Sequence, residues 1–133
     1  MSEPKIVGSR NKMKQDLRKR TKDFALRIIR LYSSLPKSTV AQVMGKQILR
    51  SGTSVGAHYR EAYRSRSDAE FISKIEGGLQ ELEETVYWME LLIESDTVPA
   101  TKLNSLMQEA SELTAIFVSS VKSAKQRKNQ VKN

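Results

Sequence analysis

The run GKQILRSGTSVGAHYREAYRSR, residues 45–66, decides the fold. Its apolar spacing is that of a helix, yet Gly45, Gly52 and Gly56 all fall inside it. A glycine in a helix interior costs roughly 0.5–1 kcal/mol relative to alanine, so three in one helix require a compensating contact. At about 100° per residue, Ala41, Met44, Ile48, Ser51, Val55 and Ala62 share one face. Gly45, Leu49, Gly52, Gly56 and Tyr63 share the adjacent one. Two neighbouring seams predict burial on two sides, with the glycines admitting other helices at short range. The remaining side carries Lys46, Arg50, Arg60 and Arg64.

Upstream, Met13, Leu17, Phe24, Ile28, Leu31 and Leu35 repeat at steps of 3, 4 and 7, with Thr21 in the one vacant core position. This predicts a helix from about Ser9, closed by Pro36, which forces its predecessor out of the α region. Leu26 and Ile29 lie off that seam and hint at an additional contact. Ser38 or Thr39 suits the N-cap of the second helix, which runs to about Arg66. Ser67 with Glu70 has capping-box spacing and opens the third. There Phe71, Ile75, Leu79, Leu82, Val86, Met89 and Ile93 form an apolar seam beside an acidic stripe of Glu76, Glu83 and Glu90. Tyr87, Trp88, Leu91 and Leu92 lie off it, which predicts a further buried contact. Pro99 suits the first turn of the fourth helix, about Ala100–Ala124, with Leu103, Leu106, Ala110, Leu113, Phe117 and Val121 inward. Short connections make an all-α, up-down-up-down antiparallel four-helix bundle the expected fold. Its domain spans residues 9–125, with 1–8 and 126–133 as flexible tails.

At 133 residues the chain is one domain. It has no cysteine, no apolar run long enough to span a bilayer and no signal-peptide pattern, which points to the cytoplasm. The net charge of +8 suggests an anionic partner, nucleic acid above all. The charge is also segregated. Residues 1–66 hold 16 Lys/Arg against 4 Asp/Glu, residues 67–102 hold 2 against 9, and residues 103–133 hold 5 against 2. Such segregation serves either a polyanion site or the packing of oppositely charged helices.

Catalysis finds little support. A carboxylate-bridged di-metal centre needs two Glu-x-x-His pairs, and the chain has one histidine, His58, with no glutamate three residues before it. Gly45-Lys46 lacks the spacing of a phosphate loop. The expectation is therefore no enzyme, no metal and no cofactor. Lys46, Arg50, Arg60 and Arg64, with Arg18, Lys19, Lys22 and Arg30 as a second surface, are the candidate phosphate contacts. Lys122, Lys125, Arg127, Lys128 and Lys132 offer a third. Tyr59 and Tyr63 flank the arginines, but Tyr63 falls on a seam and reads as core, leaving no stacking platform.

The proline turn, Gln47-Ile48 with Arg50, the run Gly52-Thr53-Ser54-x-Gly56-Ala57 and then Tyr59-Arg60-Glu61-Ala62 form a specific pattern. Ser67, Phe71-Ile72, Lys74, Glu81, Glu84, Tyr87, Trp88, Leu91 and Leu92 extend it. Over roughly residues 20–120 this resembles the four-helix bundle proteins of the 23S rRNA intervening-sequence (S23-like) family. His58, where the family often has asparagine, and Leu82-Glu83, where many members are less acidic, depart from the pattern. The resemblance implies a bacterial homopentamer around a central channel. It also implies kinship with the accessory variability proteins of diversity-generating retroelements, which bind reverse transcriptase and template RNA through a basic surface. No catalytic activity is implied. In that setting Gly52, Gly56, His58, Tyr87, Trp88 and Leu91 are the expected oligomer contacts. The expected function is a non-enzymatic, ring-forming scaffold binding RNA or DNA, possible partners including a reverse transcriptase. The alternative is a homo-oligomeric protein-interaction module whose basic face serves assembly.

Overall fold

The structure, a computed structural model, describes the backbone of residues 2–132 and the side chains of residues 16–130. It consists of four helices: α1 (Ser2–Ser33), α2 (Thr39–Tyr63), α3 (Asp68–Glu94) and α4 (Ala100–Lys132). Helical backbone thus extends past both ends of the expected 9–125 domain. Met13 and Lys132 lie outside the described side chains, as do Met1 and Asn133 altogether.

Local chemistry sets the helix ends. The Ser38 hydroxyl accepts from the Ala41 N–H at 3.3 Å, and the Ser67 hydroxyl from the Glu70 N–H at 3.1 Å. Each satisfies one of the donors left free in a first turn. At the far end of α3, Asp96 takes φ 58°, and the Thr97 and Val98 N–H groups both donate to the Leu92 carbonyl, at 3.0 and 3.1 Å. This left-handed step turns the chain into α4 without a glycine.

The pairing of neighbours establishes the topology. Going up α2, Gly45 lies against Leu35, two residues past the end of α1, and Gly52 and Gly56 lie against Ile28 and Thr21, going down α1. Ser51 meets Thr85 and Glu61 meets Lys74 between α2 and α3. Glu76 faces Lys125, and Asp68 faces Arg127, between α3 and α4. Arg20 reaches Glu109 and Arg27 reaches Ser105 between α1 and α4. Every pair is antiparallel, so the chain is an up-down-up-down bundle in which the α1–α4 contact is the thinnest.

The core holds Phe24, Phe117, Ile28, Ile48, Ile75, Leu82, Met89, Leu92, Leu103 and Leu113, all fully buried. The expected inward rows of α1 and α4 are buried from Leu17 to Leu35 and from Leu103 to Val121, including Thr21, whose hydroxyl donates to the Leu17 carbonyl at 2.8 Å. On α3 the buried line is rotated from the expected one. Ile72, Gly78, Thr85 and Leu92 join Ile75, Leu82 and Met89 at the centre, while Phe71, Leu79, Val86 and Ile93 are half-buried. The cause is the neighbouring packing. Phe117 sits against Gly78, and the Ser51 and Thr85 hydroxyls lie 2.7 Å apart.

Both seams of α2 are filled within the chain. Ser51 is buried against Thr85 of α3, and a Cβ on Gly52 would lie 2.8 Å from Ile28 Cγ1 of α1. Among the described residues no helix is long and apolar enough to cross a membrane.

Candidate nucleic-acid interface

The outward face of α2 forms because its other two sides are buried against α1 and α3. Lys46, Arg50, Arg60 and Arg64 are all exposed there. Arg60 and Arg64 stand at the C-terminal end of α2, where cations also favour the helix dipole. On α1, Lys19, Lys22 and Arg30 are exposed and Arg18 is half-buried.

These eight cations divide into two groups. Arg50 is held by α3: it reaches Glu81 at 3.5 Å and pairs closely with Glu84, which also accepts from Trp88 Nε1 at 3.1 Å. The hydrogen bond from Arg50 to Glu84 raises the guanidinium pKa, and the Trp88 N–H, followed by Arg50, lowers that of Glu84. Lys19 pairs with Asp23 at 2.7 Å, one helical turn away, which raises the lysine and lowers the carboxylate. Arg18, Lys22, Arg30, Lys46, Arg60 and Arg64 have no carboxylate partner among the described residues. Of the third basic stretch, Lys125 and Arg127 are paired to α3.

Tyr63 departs from expectation. It is 42% exposed, while Tyr59, one turn earlier, is buried and stacks on Phe117 with ring centroids 5.9 Å apart. Burial pushes the Tyr59 phenol up to about 12, so it stays protonated at neutral pH. The Arg18 guanidinium lies over the Tyr63 ring, 5.0 Å from its centroid. Tyr63 follows Tyr59 by four residues and is the last residue of α2. Periodicity alone assigns Tyr63 to the seam.

The expected oligomer contacts separate in the same way. The close approach made by Gly52 and Gly56 is to α1 of the same chain, and Gly52 is fully covered by it. His58 is half-buried against Gly77 of α3, with Nδ1 buried and without a hydrogen-bond partner among the described residues. Leu92, expected to make an extra contact, belongs to the central core. Tyr87 is 52% exposed and meets Trp88 edge-on, at 5.3 Å between centroids, and Trp88 and Leu91 are half-buried. Leu26 and Ile29 of α1 are also exposed.

Among the described residues no group of three or more His, Asp or Glu side chains is placed to hold a metal ion.

The family model described as 23S rRNA-intervening sequence protein matches residues 13–119. The chain belongs to this family. A 1.70 Å crystal structure of a family relative, a protein of unknown function from the S23 ribosomal protein family of Bacteroides thetaiotaomicron, is 40% identical. The match covers 80% of this chain and 98% of that one, with a TM-score of 0.74. No curated protein matches the chain.

Proposed function

We propose that this S23-like protein is a non-enzymatic, ring-forming scaffold that binds RNA or DNA in the bacterial cytoplasm. It would act as an accessory to a reverse transcriptase, or as a protein linked to an rRNA intervening sequence. One observation carries the reading: six cations on the outer faces of α1 and α2 have no carboxylate partner among the described residues. Elsewhere in the bundle cations do find partners, such as Arg20 with Glu109 at 2.6 Å and Lys74 with Glu61 at 2.7 Å. Charges that served packing alone would be paired in the same way. Phosphates suit unpaired Lys and Arg because each contact releases counterions, which gives affinity without sequence reading. The family's description, which names an rRNA intervening sequence, supports RNA as the first ligand to try. In a homopentamer the patch would recur five times, and weak contacts would add through avidity. Exposed Leu26, Ile29 and Tyr87 supply apolar surface for such a ring. A binding titration with structured RNA and duplex DNA at low salt tests the reading, and absence of binding to both refutes it.

A second reading rests on α3. Glu83 and Glu90 are exposed, have no cation partner among the described residues, and flank Tyr87 in sequence. This acidic, aromatic strip is complementary to the basic face of another copy, so the cations would serve assembly. In that case Arg60→Ala with Arg64→Ala dissociates the oligomer in light scattering while leaving folded monomers.

A further inference from the structure

The contacts between helices fix which way each cation of α1 and α2 points. On α2, Gly52 lies against Ile28 of α1 and Ser51 bonds to Thr85 of α3. At about 100° per residue the side of Thr53 therefore faces outward next to α1. Lys46, Thr53 and Arg60 share that side at steps of seven. On α1, Ile28 meets α2, while Arg20 and Arg27 reach Glu109 and Ser105 of α4. Arg18 and Lys22 then face outward next to α2, and Arg18 indeed lies over the Tyr63 ring of that helix. Arg30 falls about 200° round from Ile28 and points away from α2.

We propose that the furrow between α1 and α2 is a track for a phosphodiester backbone, with Arg18 and Lys22 on one wall and Lys46 and Arg60 on the other. The proposal deepens the nucleic-acid reading and rests on it. It names the face that takes the strand and leaves Arg30 and Arg50 off it.

The charges of the two helices are sorted about this furrow. Its four cations have no carboxylate partner among the described residues. The described carboxylates of α1 and α2, Asp16, Asp23 and Glu61, all lie on other sides. Asp23 pairs with Lys19, Asp16 precedes it by seven residues on the same side, and Glu61 pairs with Lys74 of α3. Arg50 is turned the other way and held by Glu81 and Glu84.

Shape and length suit a strand as well. Gly56 has no side chain, and Ala25 and Thr53 are small and half-buried, so the floor between the two rows is low. Lys46 to Arg60 spans roughly 21 Å at 1.5 Å per residue, over which one strand presents several phosphates. Lysine and arginine repeated along such a length bind the backbone whatever its sequence.

Thr53 and Ser54 supply a matched pair for the test. Both are half-buried, and each hydroxyl donates to the carbonyl four residues back at 2.7 Å. Ser54 stands about 100° further round, towards α3. Thr53→Glu and Ser54→Glu change the net charge equally, but only the first puts a carboxylate between Lys46 and Arg60. Binding of a labelled single-stranded RNA to the full chain is followed by fluorescence anisotropy at about 0.1 M salt, where screening confines a charge to about 10 Å. Thr53→Glu should weaken binding at least about five-fold more than Ser54→Glu. Lys22→Ala and Arg30→Ala, both at exposed positions, repeat the comparison on α1. The first should lower the salt slope by about 0.7 and the second leave it unchanged. Circular dichroism and light scattering follow the fold and mass of every variant, and the exposed α1 pair decides alone if Thr53→Glu does not fold. Equal effects within a pair overturn the track and leave diffuse cation–phosphate binding standing. A changed mass for Thr53→Glu alone makes the furrow a subunit contact and also overturns the track. A wild type that does not bind RNA overturns both the track and the reading it rests on.

Discussion

The Ser51 and Thr85 hydroxyls lie 2.7 Å apart in the buried seam between α2 and α3. Each also meets a carbonyl of its own helix, Ser51 with Gln47 at 2.9 Å and Thr85 with Glu81 at 2.7 Å. Each hydroxyl has one hydrogen, so one of them donates to the other and the second to its own helix carbonyl, which satisfies both hydroxyls inside an apolar core between α2 and α3. Ser51→Ala or Thr85→Val alone should cost about 1 kcal/mol in urea unfolding, and the double variant less than the sum. Strict additivity would show that the two hydroxyls do not interact.

Gly52 and Gly56 should respond differently to a methyl group. On Gly52 the new Cβ falls 2.8 Å from Ile28 Cγ1, and Ile28 is fully buried and β-branched, so it has nowhere to move. Gly52→Ala should destabilise by about 1–3 kcal/mol. On Gly56 the nearest atom is Thr21 Oγ1 at 3.3 Å, a smaller conflict that the gain in helix propensity, roughly 0.5–1 kcal/mol, offsets. Gly56→Ala should be close to neutral. Equal losses at the two sites would refute the assignment of Gly52 to the α1–α2 contact. Because that contact lies within the chain, Gly52→Leu should abolish folding, seen as lost ellipticity.

Acid should loosen the α2–α3 surface at Arg50. Glu84 is lowered from the ordinary value of 4.5 by the Trp88 N–H first and then by Arg50. A carboxylate with a depressed folded pKa contributes stability above its unfolded value and loses that contribution as the pH falls through the folded one. Thermal stability should therefore decline as the pH drops below about 4.5, and more steeply in the wild type than in Glu84→Gln. Trp88 is the only tryptophan, so its fluorescence reports the change locally. Identical acid profiles for the two proteins would contradict the assignment.

Tyr87 tests ring assembly separately from folding. It is 52% exposed, so Tyr87→Lys should leave the helical signal and melting temperature nearly unchanged. The mass in light scattering should fall to that of a monomer. A mass unchanged from the wild type would contradict a subunit contact at this part of α3.

Much of the bundle could be read from spacing alone. Phe24, Ile28, Leu103 and Phe117 sit where apolar periodicity puts them, because a large side chain on a repeating face has one place to go. The α3 seam was harder to read. Gly78 and Thr85 occupy its centre, and neither registers in a hydrophobic pattern, while Leu79 and Val86 register strongly and stop half-buried. The candidate site was legible as a set of cations but not in its pairing. Nothing in the spacing of Arg50 distinguishes it from Arg60, since its partners Glu81 and Glu84 are more than thirty positions away and come into reach only when α3 folds back. Tyr63 has seam spacing but is the last residue of α2, and there it stands 42% exposed with Arg18 over its ring.

The most direct test of nucleic-acid binding is the salt dependence of affinity for a single-stranded RNA, measured for the wild type and for Arg60→Ala/Arg64→Ala. The account predicts a linear fall of log affinity with log salt, and a slope reduced by about 1.4 in the double variant, since each phosphate contact on a single strand contributes roughly 0.7. A wild-type affinity indifferent to salt, or a double variant with an unchanged slope, would contradict it.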